Sequence, residues 1–155
     1  MVTIKFFERA LDSDLQYAVV VTRYNGKFIF CRHAGRETWE LPGGVRAAGE
    51  SIRRTAERVL LEQTGAAELQ LEPVSAYGVA SDGKKETFGA LYFAEIDEMK
   101  DHPGDSSIEE LQFSAKMPEA KTCPQLHPSL MRCVENWLAE GNFHSWQDDL
   151  FDLIV

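Results

Sequence analysis

Residues 39–65, WELPGGVRAAGESIRRTAERVLLEQTG, join a Pro-Gly-Gly stop to an amphipathic repeat, and this junction limits what the chain can fold into. Pro42-Gly43-Gly44 ends regular structure and lets backbone approach a ligand closely, because two successive residues lack a Cβ. Beyond it, Ser51 is a good N-cap type. Ile52, Ala56, Val59, Leu60 and Gln63 then recur at three-and-four spacing, and Thr64-Gly65 supplies the stop. The spacing predicts a helix over 51–63, about three and a half turns long.

Strand patterns flank this loop and helix. Gln16 to Tyr24 (QYAVVVTRY) is β-branched and apolar, Asn25-Gly26 gives a tight turn, and Lys27 to Arg32 (KFIFCR) alternates, which together read as a hairpin. Glu68 to Val79 and Glu86 to Ile96 read as two more strands about the Ser81-Asp82-Gly83-Lys84 turn, and Ile108 to Ala115 as a short one. Pro118 to Pro124 is loop. His127-Pro128 opens a second amphipathic helix to about 140, with Leu130, Met131, Val134, Trp137 and Leu138 as its buried face and Gly141 as its stop. The segment 142–155 carries Phe143, Trp146, Leu150, Phe151 and Ile154, too apolar for a free tail. It is expected to pack on the body or on a second copy, which makes a homodimer one outcome. The aggregate is α/β, a mixed sheet between helices, organised as a single domain over 1–155.

Composition excludes several classes. A chain of 155 residues can bury about two-thirds of its unfolded surface. No apolar run approaches the ~18 residues needed to cross a bilayer, and MVTIKFFERALDSD lacks the layout of a signal peptide. The expectation is a cytoplasmic protein without membrane insertion. A net charge of -9 argues against a stable nucleic-acid partner, while leaving room for a small phosphorylated ligand in a locally basic pocket. Three cysteines without C-x-x-C spacing read as free thiols, and His33, His102, His127 and His144 are too scattered to suggest a triad.

The 39–65 stretch resembles the Nudix box, whose pattern is Gly-x5-Glu-x7-Arg-Glu-x2-Glu-Glu-x-Gly. Gly44, Glu50, Arg58, Glu62 and Gly65 fall on it in register, and Trp39 to Gly44 matches the usual lead-in. Two positions depart: Val59 and Gln63 stand where the family has glutamates. The resemblance covers Gln16 to Leu138 and implies a Nudix-type α/β/α sandwich with a mixed sheet, a box helix and a C-terminal helix.

It also implies chemistry. In a Nudix hydrolase the box helix presents carboxylates to Mg²⁺ (or Mn²⁺), which bridges a substrate diphosphate and activates a water for attack on phosphorus. Positions 59, 62 and 63 share one helix face, yet only Glu62 supplies a charge there, and Gln63 offers a neutral carbonyl oxygen. The expected metal set is Glu62, Glu50 and Gln63, binding weakly without substrate. The expected catalytic set is Glu62, Glu50 and Arg58. Glu57, about 200° around the helix from Val59, does not replace it. Glu86, Glu109 and Glu110 are candidates for a carboxylate drawn from a later segment.

Gly43 and Gly44 are candidate phosphate contacts through backbone N–H groups, and Arg23, Arg32 and Arg36 through their guanidinium groups. The bland readings stay open beside these: turn glycines, solvated arginines, and an Arg58/Glu62 surface pair worth about 0.3 kcal/mol. Tyr17, Phe28, Phe30, Tyr77, Phe88, Tyr92 and Phe93 read chiefly as core, with one or two available to stack on a base. The leading functional expectation is Mg-dependent hydrolysis of a pyrophosphate bond in a nucleoside diphosphate linked to another group. The alternative is a catalytically silent domain that binds a nucleotide-like or sugar-phosphate ligand as a sensor.

Overall fold

In the computed structural model, which describes residues 1–101 and 103–144, the organising strand is β2 (Tyr17–Tyr24). Ala18, Val20 and Thr22 point to one face and Val19 and Val21 to the other, and all five are buried. Burial on both faces explains the unbroken apolar run, and it places this strand centrally between two helical layers. It runs parallel to β6 (Thr87–Met99). With β1 (Val2–Phe7), β3 (Lys27–His33), β4 (Gly43–Val45), β5 (Ala66–Ser81) and β7 (Ile108–Ser114), the described residues form a seven-stranded sheet of order β1-β5-β6-β2-β3-β7, with the short β4 also on β2.

On its other edge β2 is divided between two partners. It pairs with β3 (Lys27–His33) only beside the turn, at Arg23↔Phe28 and Tyr24↔Lys27. Asn25 (φ 51°) and Gly26 (φ 77°) take the left-handed conformations such a two-residue turn requires. The strands then part, and β4 (Gly43–Val45) fills the opening: Gly43 lies opposite Val19, Gly44 opposite Ala18 and Val45 opposite Tyr17. On the far side of the opening Cys31 and Glu40 exchange both backbone hydrogen bonds, at 2.8 and 3.0 Å. The Pro-Gly-Gly segment expected as loop therefore continues as a short inner strand. A Cβ at Gly43 would meet the Ala18 carbonyl oxygen at 3.0 Å, so a side chain there would press on the backbone of β2.

Helix α1 (Ile52–Thr64) covers one face of the sheet, packing Ile52, Ala56 and Leu60 on Ala18, Val20, Ala90 and Tyr92. Helix α2 (His127–Ala139) covers the other through Leu130, Met131 and Val134 against Val19, Val21, Leu91 and Phe93. The result is the α/β/α sandwich. Strand β5 (Ala66–Ser81) starts directly after Gly65 and runs further at both ends than its sequence pattern indicates. Strand β7 (Ile108–Ser114) forms one edge along β3. The other edge is β1 (Val2–Phe7), paired to β5 and not anticipated from the sequence, where its residues fall outside the family resemblance.

Phe143 packs edge-on to Phe93 at 4.9 Å and beside Trp137. The other apolar positions of the tail, Trp146, Leu150, Phe151 and Ile154, lie outside the described residues, as does His102. No helix among the described residues is long and apolar enough to cross a membrane.

Two packing features make predictions. A Cβ at Gly89 would lie 2.4 Å from the Tyr77 ring, which crosses over this residue from the neighbouring strand. Gly89→Ala is expected to cost about 2 kcal/mol through overpacking, read from the urea midpoint. At the start of α2, His127 is buried with Nδ1 unpartnered, and desolvation pushes its pKa down to about 4. The folded state thus holds the neutral imidazole, and the unfolded chain binds the proton first. The His127 contribution to stability is fully present above about pH 6.5 and is lost as pH falls through about 4, by up to about 3 kcal/mol. Urea unfolding of His127→Leu across the same range should lack that component of the decline.

Candidate functional site

The segment between β4 and α1 is fastened to the helix by one arginine. Ser51 caps α1, its side chain accepting from the Arg54 N–H at 3.2 Å, and Gly65 (φ 80°) closes the other end in the left-handed conformation. This leaves Glu50 just ahead of the cap, facing Arg58 two turns into the helix. Arg58 Nε donates to Glu50 Oε2 at 2.6 Å and Nη2 to Oε1 at 3.0 Å, a bidentate pair. The same guanidinium also donates to the Val45 carbonyl at 3.0 Å and to Glu62 at 3.3 Å. Glu50 further accepts from the Ala47 N–H and the Thr55 hydroxyl, each at 2.9 Å. The Arg58 hydrogen bonds, followed by that from Ala47, hold the Glu50 pKa down to about 2.

The two departures from the family pattern face β4. Val59, fully buried, places Cγ2 3.0 Å from the point a Cβ on Gly44 would occupy. One turn later Gln63 donates from Nε2 to the Gly43 carbonyl at 2.8 Å and accepts from the Gly43 N–H at 3.1 Å. Successive glycines of the strand are thus held by a methyl and by an amide. The 3.6-residue period of the helix meets the alternation of the strand here.

A divalent cation of the kind the resemblance implies needs several oxygen ligands converging on one point. The chain does not provide them at this helix face. Val59 has no donor atom, both ends of the Gln63 amide are engaged by Gly43, and Glu50 is saturated by Arg58, Ala47 and Thr55. Glu62, half exposed and paired with Arg58, is the one helix carboxylate left at these positions. Among the described residues no three His, Cys, Asp or Glu side chains gather in a way that could hold a metal ion. The residues present do not fit a protein-held Mg²⁺.

Beside the 45–51 segment lies a cleft of about 750 Å³, lined by Asp12, Gln16, Tyr17, Val45, Arg46 and Glu50 among others. Arg46 forms one wall and ties the segment to residues 12–15, donating to the Glu50 carbonyl at 2.7 Å, the Leu15 carbonyl at 3.1 Å and the Asp12 carboxylate. Asp12 in turn accepts from the Ile52 N–H at 3.1 Å, the principal cause of its lowered pKa. Asp12 and Arg46 escaped sequence reasoning because 34 residues separate them, with no local spacing to relate them.

The remaining candidates make other contacts. Arg23 is four residues beyond Val19 on β2, roughly 13 Å along the strand from the Gly43 register position. It pairs with Glu95 at 2.7 Å, over the Phe93 ring. Arg32 binds Glu109 and Glu110 at 3.2 and 3.4 Å and lies over Trp39, while Arg36 approaches Glu40 at 3.8 Å. Glu86 stands beside Gly78 near the start of β6. Gly43, Gly44, Glu50, Arg58, Glu62 and Gln63 are the candidates that the fold gathers.

The Glu50–Arg58 pair yields a direct measurement. The carboxyl ¹³C signal of Glu50 should remain that of a carboxylate from neutral pH down to about 3, with a midpoint near 2. In Arg58→Met the midpoint should move up towards the ordinary glutamate value of about 4.3. An unchanged midpoint in that variant would remove Arg58 as the cause.

Three comparisons bear on ancestry. The description NUDIX domain belongs to the family model that matches residues 14–133. No curated protein matches the chain. Among solved structures, the Bacillus subtilis pyrophosphohydrolase BsRppH is similar at 22% identity and a TM-score of 0.71, covering 87% of this chain and 90% of its own. The NUDIX domain of Shewanella oneidensis NrtR, solved with ADP ribose, is similar at 20% identity and a TM-score of 0.63, over 81% and 88%. A C. elegans Ap4A hydrolase in a binary complex is similar at 15% identity and a TM-score of 0.60, over 81% and 99%. These identities speak to the fold alone. With most of its length matched by the family model and a box whose loop and helix dock in one register, the chain belongs to the Nudix family.

Proposed function

We propose that this chain is a Nudix-fold domain that binds a nucleotide-like diphosphate or sugar-phosphate in the cleft beside residues 45–51 and does not depend on turnover for its role. The observation that carries this is the use of positions 59 and 63. Both side chains fix β4 against the helix, so the face that would carry a cation carries packing and an amide pair. Metal-assisted hydrolysis needs charge placed where the transferred phosphoryl group and the attacking water meet. One exposed glutamate, shared with Arg58, supplies little of it. The ligand class draws support from family membership and the solved NrtR Nudix domain with ADP ribose.

A second reading, slow Mg- or Mn-dependent pyrophosphate hydrolysis, is favoured by one feature: Glu50, Arg58 and Glu62 form an intact network with Glu62 open to solvent. A substrate diphosphate brings its own oxygen ligands to a hydrated cation.

One panel separates the two. Nucleoside triphosphates, dinucleoside polyphosphates, ADP-ribose and nucleotide sugars are tested for thermal stabilisation and for phosphate or pyrophosphate release, with Mg²⁺ and with Mn²⁺. Binding without release is expected for the wild-type protein, and measurable release for Val59→Glu/Gln63→Glu. Metal-dependent release by wild type that disappears in Glu62→Gln would establish the hydrolase. Neither stabilisation nor release across the panel would refute both readings of the ligand.

A further inference from the structure

We infer that the Gln63 carboxamide does for this loop what a bridging cation would otherwise do, so that the site is fully formed with no metal bound. The inference rests on the location of the site proposed above, but its test uses the protein without any ligand.

The Gly43 peptide directs both of its polar groups at one side chain: its N–H donates to Gln63 Oε1 at 3.1 Å and its carbonyl accepts from Nε2 at 2.8 Å. Gln63 is 8% exposed, so water competes weakly for either bond. Consider a carboxylate there instead. It could still accept from the Gly43 N–H, but its second oxygen would face the Gly43 carbonyl oxygen across the gap the amide nitrogen now spans. Two acceptors facing one another in a desolvated gap are unfavourable unless a donor or a cation lies between them. Carboxylate and backbone carbonyl oxygens are also the ligands a hard divalent cation takes.

The amide removes that need by carrying its own donor hydrogens to the spot. Val59 completes the arrangement one turn earlier, where its methyl fills the space a side chain on Gly44 would need and adds no charge. Both departures from the acidic pattern thereby become one device: β4 is seated on α1 by neutral groups, and its position does not respond to divalent cations.

Thermal unfolding of the whole chain in EDTA, in MgCl₂ and in MnCl₂ tests this, using wild type, Gln63→Glu and Gln63→Leu. Wild type should unfold at the same temperature in all three, within about 1 °C. Gln63→Glu should unfold about 4–8 °C lower in EDTA and recover most of that loss with Mg²⁺ or Mn²⁺. Gln63→Leu should stay low in every buffer, which separates cation bridging from mere loss of a buried amide.

The proposal is overturned if wild type gains as much from a cation as Gln63→Glu does. It is overturned equally if Gln63→Glu matches wild type in EDTA, or if neither cation restores it. Should Gln63→Glu fail to fold, Mn²⁺ titration of the wild-type protein followed by NMR decides alone. The Gly43 amide and Gln63 side-chain signals should stay sharp, and selective paramagnetic broadening of them would overturn the inference. None of these outcomes depends on whether a nucleotide binds, so failure of the ligand reading and failure of this one are distinguishable.

Discussion

Everything at the candidate site depends on how the edge of β2 is shared. A strand buried on both faces must still satisfy its backbone groups, and β3 serves that edge only at the hairpin end, at Arg23 and Tyr24. The remainder falls to Gly43–Val45 and to the Pro42 carbonyl, which accepts from the Val20 N–H at 2.9 Å. The glycines therefore have a structural duty that precedes any contact with phosphate. Their lack of side chains allows β4 to lie under α1, where Val59 and Gln63 reach it.

The charge pattern follows from that placement. Glu50, Arg58 and Glu62 remain outside the seam between strand and helix, where they bind one another and the backbone of 45–47. Inside the seam the side chains are neutral. A carboxylate inside it would be desolvated and would require a counter-ion. Amide and methyl carry no such requirement. Arg46 and Asp12 repeat the logic at the cleft, where the arginine anchors residues 12–15 to the box segment and the aspartate satisfies the first N–H of α1.

Local patterns made much of this legible. The Asn-Gly turn, the α1 caps at Ser51 and Gly65, and the apolar face of α2 each depend on chemistry within a few residues, and the structure agrees with them. The spacing of Gly44, Glu50, Arg58, Glu62 and Gly65 marked the loop and helix in the same local way. The partners of Gln63 were not legible. An amide looks like a weak ligand when only the helix face is considered, and its role as a clasp appears only once Gly43 lies against it, 20 residues away in sequence. The strand β1 was missed for a related reason: VTIKFF is short and interrupted by a lysine, and only the exposed edge of β5 gives it a partner.

By itself the sequence determined the family, the layered α/β architecture and the loss of two carboxylates from the box, because caps, turns and periodic apolar positions act over one or two turns of chain. The tertiary structure decided what Val59 and Gln63 contact in place of those carboxylates, which arginines reach the box, and where a cleft opens. Those outcomes depend on pairings such as Val19↔Gly43, Arg46 with Asp12 and Arg32 with Glu109. They are contacts between segments distant in sequence, fixed by the register of a sheet and the seating of a helix, which no local spacing encodes.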